Sequence, residues 1–227
     1  MKNAIAILAV AACLASCGSS ASFTTLADKY PGMYEEQPVS IVIMPPINQT
    51  NHAEAKDYFY TTLYTPLCEK GYYVYSPYLT MELFQQESAY DSELFIEGDL
   101  SKFREVLGAD AAMFTVIRDW RRNNVGGSLT VDIQYLLRST KTGQTLYSRE
   151  GTITVDTSIQ SGAGGWVGAL ADLAATAIAT AATDKIVAGR RCNNYVLSDF
   201  PAGKYSSLFG KDQKRAAGKD HVTATVR

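Results

Sequence analysis

Histidine and cysteine, the side chains most often found in metal sites and catalytic triads, are scarce in this chain, whereas Ser, Asp and Glu are plentiful. The 227 residues include four cysteines and two histidines, His52 and His221. This inventory argues against a zinc site and against a histidine-based catalytic triad. The Gly-x-Ser-x-Gly elbow, the His-Glu-x-x-His motif and the phosphate-binding loop are also missing from the sequence. We therefore expect a protein that is not an enzyme and that has no catalytic residues, no metal and no cofactor.

Cys17 is the cysteine with the most informative surroundings. Lys2 precedes an almost wholly apolar run over residues 4–14, which is the arrangement of a secretory signal peptide. The sequence Leu14-Ala15-Ser16-Cys17 resembles the lipobox of bacterial lipoproteins, which are cleaved before the cysteine and acylated on it. The resemblance implies that residues 1–16 are removed and that Cys17 carries the membrane anchor. An ordinary signal peptide or a buried apolar helix is the alternative interpretation.

The residue after the lipidated cysteine sorts bacterial lipoproteins between membranes. Gly18 is not the aspartate that holds such proteins at the inner membrane. The resemblance therefore implies an outer-membrane lipoprotein on the periplasmic face.

Cys68 and Cys192 are the cysteines that would remain beside Cys17 after cleavage, because Cys13 leaves with the signal peptide. In an oxidising compartment they are a candidate disulfide. Spacing alone does not show that they meet, and the alternative is two separate buried thiols.

Composition places the mature chain among ordinary globular proteins. The apolar fraction of 46% can form a core, and the net charge of -2 argues against binding to nucleic acid. We expect a signal peptide over residues 1–16, an acylated N-terminus and tether over 17–38, and a single α/β domain over 39–190. Residues 191–227 carry a basic tail and are expected to form a partly disordered extension.

Hydrophobic patterns predict a mixed α/β fold, with a two-layer or three-layer mixed sheet flanked by helices. Strands are predicted at 39–44, 72–75 and 111–117, followed by a hairpin of 129–137 with 145–157. Helices are predicted at 53–70, 79–87, 100–107 and 170–188, the first of them interrupted at Pro66. Residues 118–124 are expected to form an exposed connection.

The loop after the first strand is a candidate ligand or partner site, with Pro45, Pro46, Asn48 and Asn51 as its residues. Ligands favour the carboxyl ends of strands in open α/β sheets. The alternative is that these residues only terminate the strand and begin the next helix.

Two further stretches invite a functional interpretation. Residues 162–168 are rich in glycine but lie in the wrong context for a dinucleotide site, so we expect no such cofactor. The alanine-rich helix after them is a candidate docking helix, with Trp166, Leu170 and Leu173 on one face. Residues 87–99 are acidic without the order of an EF-hand loop, and a solvated acidic face is the expected explanation.

Short motifs in order along the chain resemble one family, that of the genome-derived neisserial antigen lipoprotein. They are the lipobox, Tyr30-Pro31, residues 40–48 around Met44-Pro45-Pro46-Ile47-Asn48, Tyr64-Thr65-Pro66-Leu67, Gly71-Tyr72-Tyr73-Val74, residues 107–112, residues 141–146 and Thr183-Asp184-Lys185. These motifs cover most of residues 14–190. Residues 190–192 and the tail from Phe200 are not part of the match.

The family resemblance implies a fold similar to the N-terminal domain of TolB, with a C-terminal helix. It also implies association with a CsgG-like channel lipoprotein and a small partner lipoprotein. The function we expect is that of an accessory subunit in envelope transport or secretion, with a homodimer as a further candidate assembly. A periplasmic module that binds a small ligand at residues 45–51 is the alternative.

Overall fold

A seven-stranded mixed sheet organises the chain. The computed structural model describes residues 23–53, 55–87, 89–123, 127–156, 158, 172 and 185–226. The strands are β1 (Ser40–Ile43), β2 (Ile47–Asn48), β3 (Tyr73–Val74), β4 (Ala111–Asn123), β5 (Ser128–Ser139), β6 (Thr145–Asp156) and β7 (His221–Val226). Their order is β3-β1-β4-β5-β6-β7, and β2 also lies against β4.

Four strand pairings of the sheet are parallel and two are antiparallel. Strand β1 runs parallel to β3 and β4, and β7 runs parallel to β6. Strands β4, β5 and β6 form an antiparallel meander, of which the β5–β6 hairpin was predicted from the alternating sequence. Strand β2 continues the line of β1 along β4, after an interruption at Pro45 and Pro46. Proline interrupts the ladder because it has no backbone N–H to donate.

The described helices lie on both faces of the sheet. They are α1 (Leu26–Lys29), α2 (Pro31–Glu36), α3 (Ala55–Thr62), α4 (Tyr64–Glu69), α5 (Pro77–Gln86), α6 (Ser101–Leu107) and α7 (Lys185–Val196), with a 3-10 turn at Ser92–Leu94. The first long helix is divided into α3 and α4 as predicted, but the break lies at Leu63 rather than at Pro66. Pro66 is the third residue of α4, where proline is tolerated because its missing N–H would have no helical partner.

Two apolar clusters separate the layers. The larger one joins β4, β5 and β6 to α3, α4, α7 and the N-terminal helices. The smaller one packs Phe84 of α5 and Phe103 of α6 against Val42 and Phe114. Helices therefore cover both faces near β1 and β4. Along β5, buried residues that face the larger cluster alternate with half-buried, mostly polar residues on the opposite face. The sheet therefore has a two-layer arrangement there.

Strand β4 is longer than the sequence indicated. Residues 118–123, predicted as an exposed connection, continue the strand beside β5. The pairing register shifts between Ile117 and Asp119, and this β-bulge breaks the alternation that marks a strand. Trp120 is consequently buried, with its ring edge-on to Phe59 at a centroid distance of 5.9 Å.

Both predicted extensions pack against the domain in the described part of the chain. Within the expected tether, Thr25 and Asp28 form a capping box on α1, and Leu26, Tyr30 and Met33 are buried. Within the expected C-terminal extension, Phe200 is buried and β7 adds to the sheet. These segments correct the predicted boundaries, because their apolar partners lie far away in the sequence.

Candidate interaction surfaces

The loop after β1 is held closed by its own polar groups. The Asn48 side chain accepts hydrogen bonds from the N–H of Thr50 at 3.0 Å and its hydroxyl at 2.8 Å, and donates to the His52 carbonyl at 2.8 Å. Pro45 and Pro46 are buried, and the Ser92 hydroxyl donates to the Pro45 carbonyl at 2.5 Å. Asn51 is exposed. The structure brings these residues together, but the Asn48 amide is already hydrogen-bonded to other residues of the same turn.

The other sequence-derived candidates are only partly visible. Cys17 and the docking-helix residues Trp166, Leu170 and Leu173 lie outside the described residues, as does the glycine-rich stretch. Cys68 and Cys192 are both free thiols, the first half-buried and the second buried. The structure therefore follows the alternative of two separate thiols. Burial raises the pKa of the Cys192 thiol to about 12.

The described part of the chain contains neither a metal-binding cluster nor a membrane-spanning helix. There, no group of three or more His, Cys, Asp or Glu side chains could hold a metal ion. Nor does any helix of that part have the length and apolar character that crossing a membrane requires.

A buried ion pair attaches the C-terminal segment to β6. The Arg149 guanidinium contacts the Asp199 carboxylate, and their side chains are 5% and 13% exposed. Asp199 also accepts a hydrogen bond from the Gly218 N–H at 2.5 Å. A Cβ at Gly218 would lie 2.2 Å from an Arg149 nitrogen, so a side chain at this position would displace the guanidinium. This ion pair is a structural feature that sequence reasoning missed.

An aromatic cluster packs beside the ion pair. The Tyr147 ring lies 4.6 Å from the ring centroids of both Tyr30 and Phe200. Burial, followed by the nearby charge of Asp199, raises the pKa of Tyr30 to about 12. The cluster joins the N-terminal helices, β6 and the C-terminal segment.

Arg138 holds the acidic loop in place. Its guanidinium donates to the carbonyls of Phe95, Ile96 and Gly98 at 3.1, 2.8 and 3.0 Å. It also donates two hydrogen bonds to the Gly143 carbonyl in the hairpin turn, at 3.1 and 2.7 Å. One side chain thus connects the loop before α6 with the β5–β6 turn.

The held loop forms one wall of an apolar groove between α5 and α6, which we call the α5–α6 groove. The groove has a volume of about 520 Å³. Its lining is mainly apolar and consists of Leu83, Phe84, Ala89, Phe95, Phe103, Val106 and Leu107, with Glu87, Asp99 and Lys102 at the margin. Val106 is 72% exposed.

Asp110 connects the start of β1 to the end of α6. Its carboxylate accepts hydrogen bonds from the N–H groups of Val39 and Ser40 at 3.0 and 3.1 Å and from the Ser40 hydroxyl at 3.0 Å. Burial acts to raise the pKa of Asp110, but these hydrogen bonds and the Arg104 charge outweigh it. The pKa is therefore lowered on balance.

The lowered pKa of Asp110 predicts how the stability of the domain changes in acid. Asp110 binds fewer protons in the folded state than in the unfolded state, so its contribution is complete above the unfolded pKa and is lost as the pH falls through the folded pKa. We expect Asp110→Asn to flatten the dependence of the unfolding free energy on pH below about pH 4. Urea unfolding at several pH values measures this, and an unchanged slope would contradict it.

Comparison with known proteins places the chain in a family. A family model described as "Putative lipoprotein GNA1162-like" matches residues 28–203. The protein "Putative lipoprotein NMB1124/NMB1162" of Neisseria meningitidis serogroup B (strain ATCC BAA-335 / MC58) is 23% identical over 158 residues. That match covers 69% of this chain and 73% of the neisserial protein.

Solved structures resemble the chain at low sequence identity. The crystal structure of lipoprotein GNA1162 from Neisseria meningitidis is 21% identical and has a TM-score of 0.48, covering 65% of this chain and 100% of that one. The PelC dodecamer from Paraburkholderia phytofirmans is 14% identical with a TM-score of 0.43, covering 81% and 95%. Since the family model spans more than half of the chain, this protein belongs to the GNA1162-like lipoprotein family.

Proposed function

We propose that this protein is an outer-membrane lipoprotein that faces the periplasm and serves as a non-enzymatic accessory subunit of an envelope transport or secretion assembly. The observation that carries the proposal is Cys17 at the end of a lipobox, in a chain that belongs to a lipoprotein family. Acyl chains on Cys17 would hold the domain at the membrane. Gly18 supports the outer membrane, because it is not the residue that retains lipoproteins at the inner one.

The described surface supports a role in binding partners. The α5–α6 groove is apolar and open to solvent, and exposed apolar surface of this kind marks interaction sites. Under this proposal the partners are a CsgG-like channel lipoprotein and a small partner lipoprotein, with self-association as a further arrangement. The docking helix around Trp166, Leu170 and Leu173 stays part of the proposal.

Replacement of the anchor cysteine tests the proposal. We expect wild-type protein, crosslinked in membranes and then purified, to bring down a channel-type lipoprotein, and Cys17→Ala to lose both the membrane and the partner. Cys68→Ala is the matched control, because it also removes a cysteine but leaves the lipobox intact. Wild-type protein recovered from the cytoplasm, or recovered from membranes without a partner, would contradict the proposal.

The alternative function, a small-ligand module at residues 45–51, has less structural support. The Asn48 amide is engaged within the turn and both prolines are buried. A ligand that binds only the folded state would raise the melting temperature. We expect ligand screening to find no compound that raises the melting temperature of the wild-type protein more than that of the Asn51→Ala variant.

A further inference from the structure

The α5–α6 groove has the composition of a peptide-binding site. We propose that it binds a basic, amphipathic helical segment of the partner. This inference rests on the accessory-subunit function and deepens it by assigning a docking surface and the chemistry of the bound segment. Amphipathic helices commonly bind by laying an apolar face into a groove between two helices.

The floor of the groove is aromatic and well packed. Phe84 and Phe103 are buried with their rings edge-on at a centroid distance of 5.8 Å, and the half-buried Phe95 contacts Phe103 in the same way at 5.3 Å. A volume of about 520 Å³ lies within the usual range for binding sites. Large apolar side chains can therefore enter without disturbing the core.

Apolar surface continues along α5 beyond the groove. Leu79 lies one turn before Leu83, so the two side chains share a helix face. Leu79 is 63% exposed. An occupant longer than a single side chain fits this elongated surface better than a small molecule does.

The charge around the groove selects the occupant. Residues 79–107 contain seven acidic and two basic residues, whereas the whole chain has a net charge of only -2. Glu87 and Asp99 line the groove itself, and Asp91, Glu93 and Glu97 are exposed on the loop that forms its wall. Such a surface attracts Lys and Arg and repels anionic lipid headgroups and nucleic acid. A basic protein segment is the occupant that fits both the charge and the apolar floor.

The wall of the groove is preorganised for binding. The Arg138 guanidinium donates hydrogen bonds to the carbonyls of Phe95, Ile96 and Gly98. The Ser92 hydroxyl donates a hydrogen bond to the Pro45 carbonyl. A loop that is already ordered loses little conformational entropy when a partner binds, and this saving favours affinity.

The test measures binding of a synthetic peptide to the full lipidated chain in detergent. The probe is a fluorescent 18-residue peptide of leucine and lysine, with leucines at i, i+3, i+4 and i+7 spacing. A scrambled peptide of the same composition and a peptide with glutamate in place of lysine are the comparisons. We expect both to bind at least about tenfold more weakly than the probe, a factor that corresponds to roughly 1.4 kcal/mol.

Surface variants locate the bound probe. Val106→Ser and Glu87→Gln change exposed side chains of the lining and are expected to weaken probe binding by about three- to tenfold each. Glu105→Gln is the matched control on α6, because Glu105 is exposed but does not line the groove. Tyr205→Ser is an exposed control in the C-terminal segment. Equal losses in the controls, or equal affinity for the scrambled peptide, would overturn the proposal.

Sedimentation of the same variants separates a partner from a second copy of this chain. If wild-type protein self-associates and Val106→Ser is monomeric, the occupant is another copy and the partner proposal is wrong. The membrane pull-down separates the groove from the accessory function. A partner that is retained by Val106→Ser and Glu87→Gln overturns the groove and leaves the accessory role standing, whereas a pull-down without a partner overturns the accessory role itself.

Discussion

Asp199→Ala is expected to destabilise the domain by about 3–5 kcal/mol, because it leaves the buried Arg149 guanidinium without its counter-ion. The same substitution removes the acceptor of the Gly218 N–H. Equilibrium unfolding in urea, followed by tryptophan fluorescence, measures the change in free energy. We expect increased hydrogen exchange in residues 199–226 as well, because the ion pair is the buried polar connection between β6 and the segment that leads to β7.

Asp220 offers a matched control for Asp199. It pairs with Lys29 at 2.7 Å, but its side chain is 89% exposed. Exposed ion pairs contribute little, so Asp220→Ala is expected to cost less than about 1 kcal/mol. An apolar double replacement, Arg149→Met with Asp199→Leu, should recover part of the lost stability, because no unpaired charge remains buried. A cost for Asp199→Ala as small as that for Asp220→Ala would show that the ion pair does not hold the C-terminal segment.

Arg138→Met is expected to destabilise the domain by about 3 kcal/mol, since it removes five hydrogen bonds to four backbone carbonyls. Methionine keeps most of the side-chain volume, so the loss reports the polar contacts. Urea unfolding measures the stability, and hydrogen exchange measures whether residues 95–98 open. Because these residues form the groove wall, the same variant is also expected to bind the amphipathic probe peptide more weakly.

Arg138→Lys is the informative companion of Arg138→Met. Lysine retains the charge but cannot reproduce the fork of the guanidinium, which reaches two separated sets of carbonyls. We expect it to recover less than half of the lost stability. A result within about 0.5 kcal/mol of wild type for Arg138→Met would mean that the loop is held by its apolar contacts alone.

Patterns that depend only on nearby residues were read correctly from the sequence. The nearly continuous apolar runs at residues 39–44 and 111–117 predicted central strands, and both lie between layers in the structure. Alternation at residues 129–137 predicted the antiparallel hairpin of β5 and β6, whose turn uses Gly143 at a φ of 72°. Ordered short motifs indicated the family, which the family match to residues 28–203 confirms.

Contacts between distant residues were the main source of error. Arg149 and Asp199 are 50 residues apart, and Arg138 lies 42 residues from Ile96. Neither pairing leaves a local pattern in the sequence, because Arg138, Arg149 and Asp199 each resemble an ordinary surface charge when considered alone. Trp120 was misplaced for a related reason: the bulge after Ile117 interrupts the period of two, and the strand is recognisable only beside β5.

By itself the sequence determined the central strands and the family, because each depends on residue type and short-range order. Only the tertiary structure decided that the N-terminal helices and β7 join the domain, and that the acidic segment walls an apolar groove. Burial is a property of the assembled layers rather than of a segment. The same acidic residues that indicate a solvated face in isolation border an apolar groove once Phe84, Phe95 and Phe103 pack together.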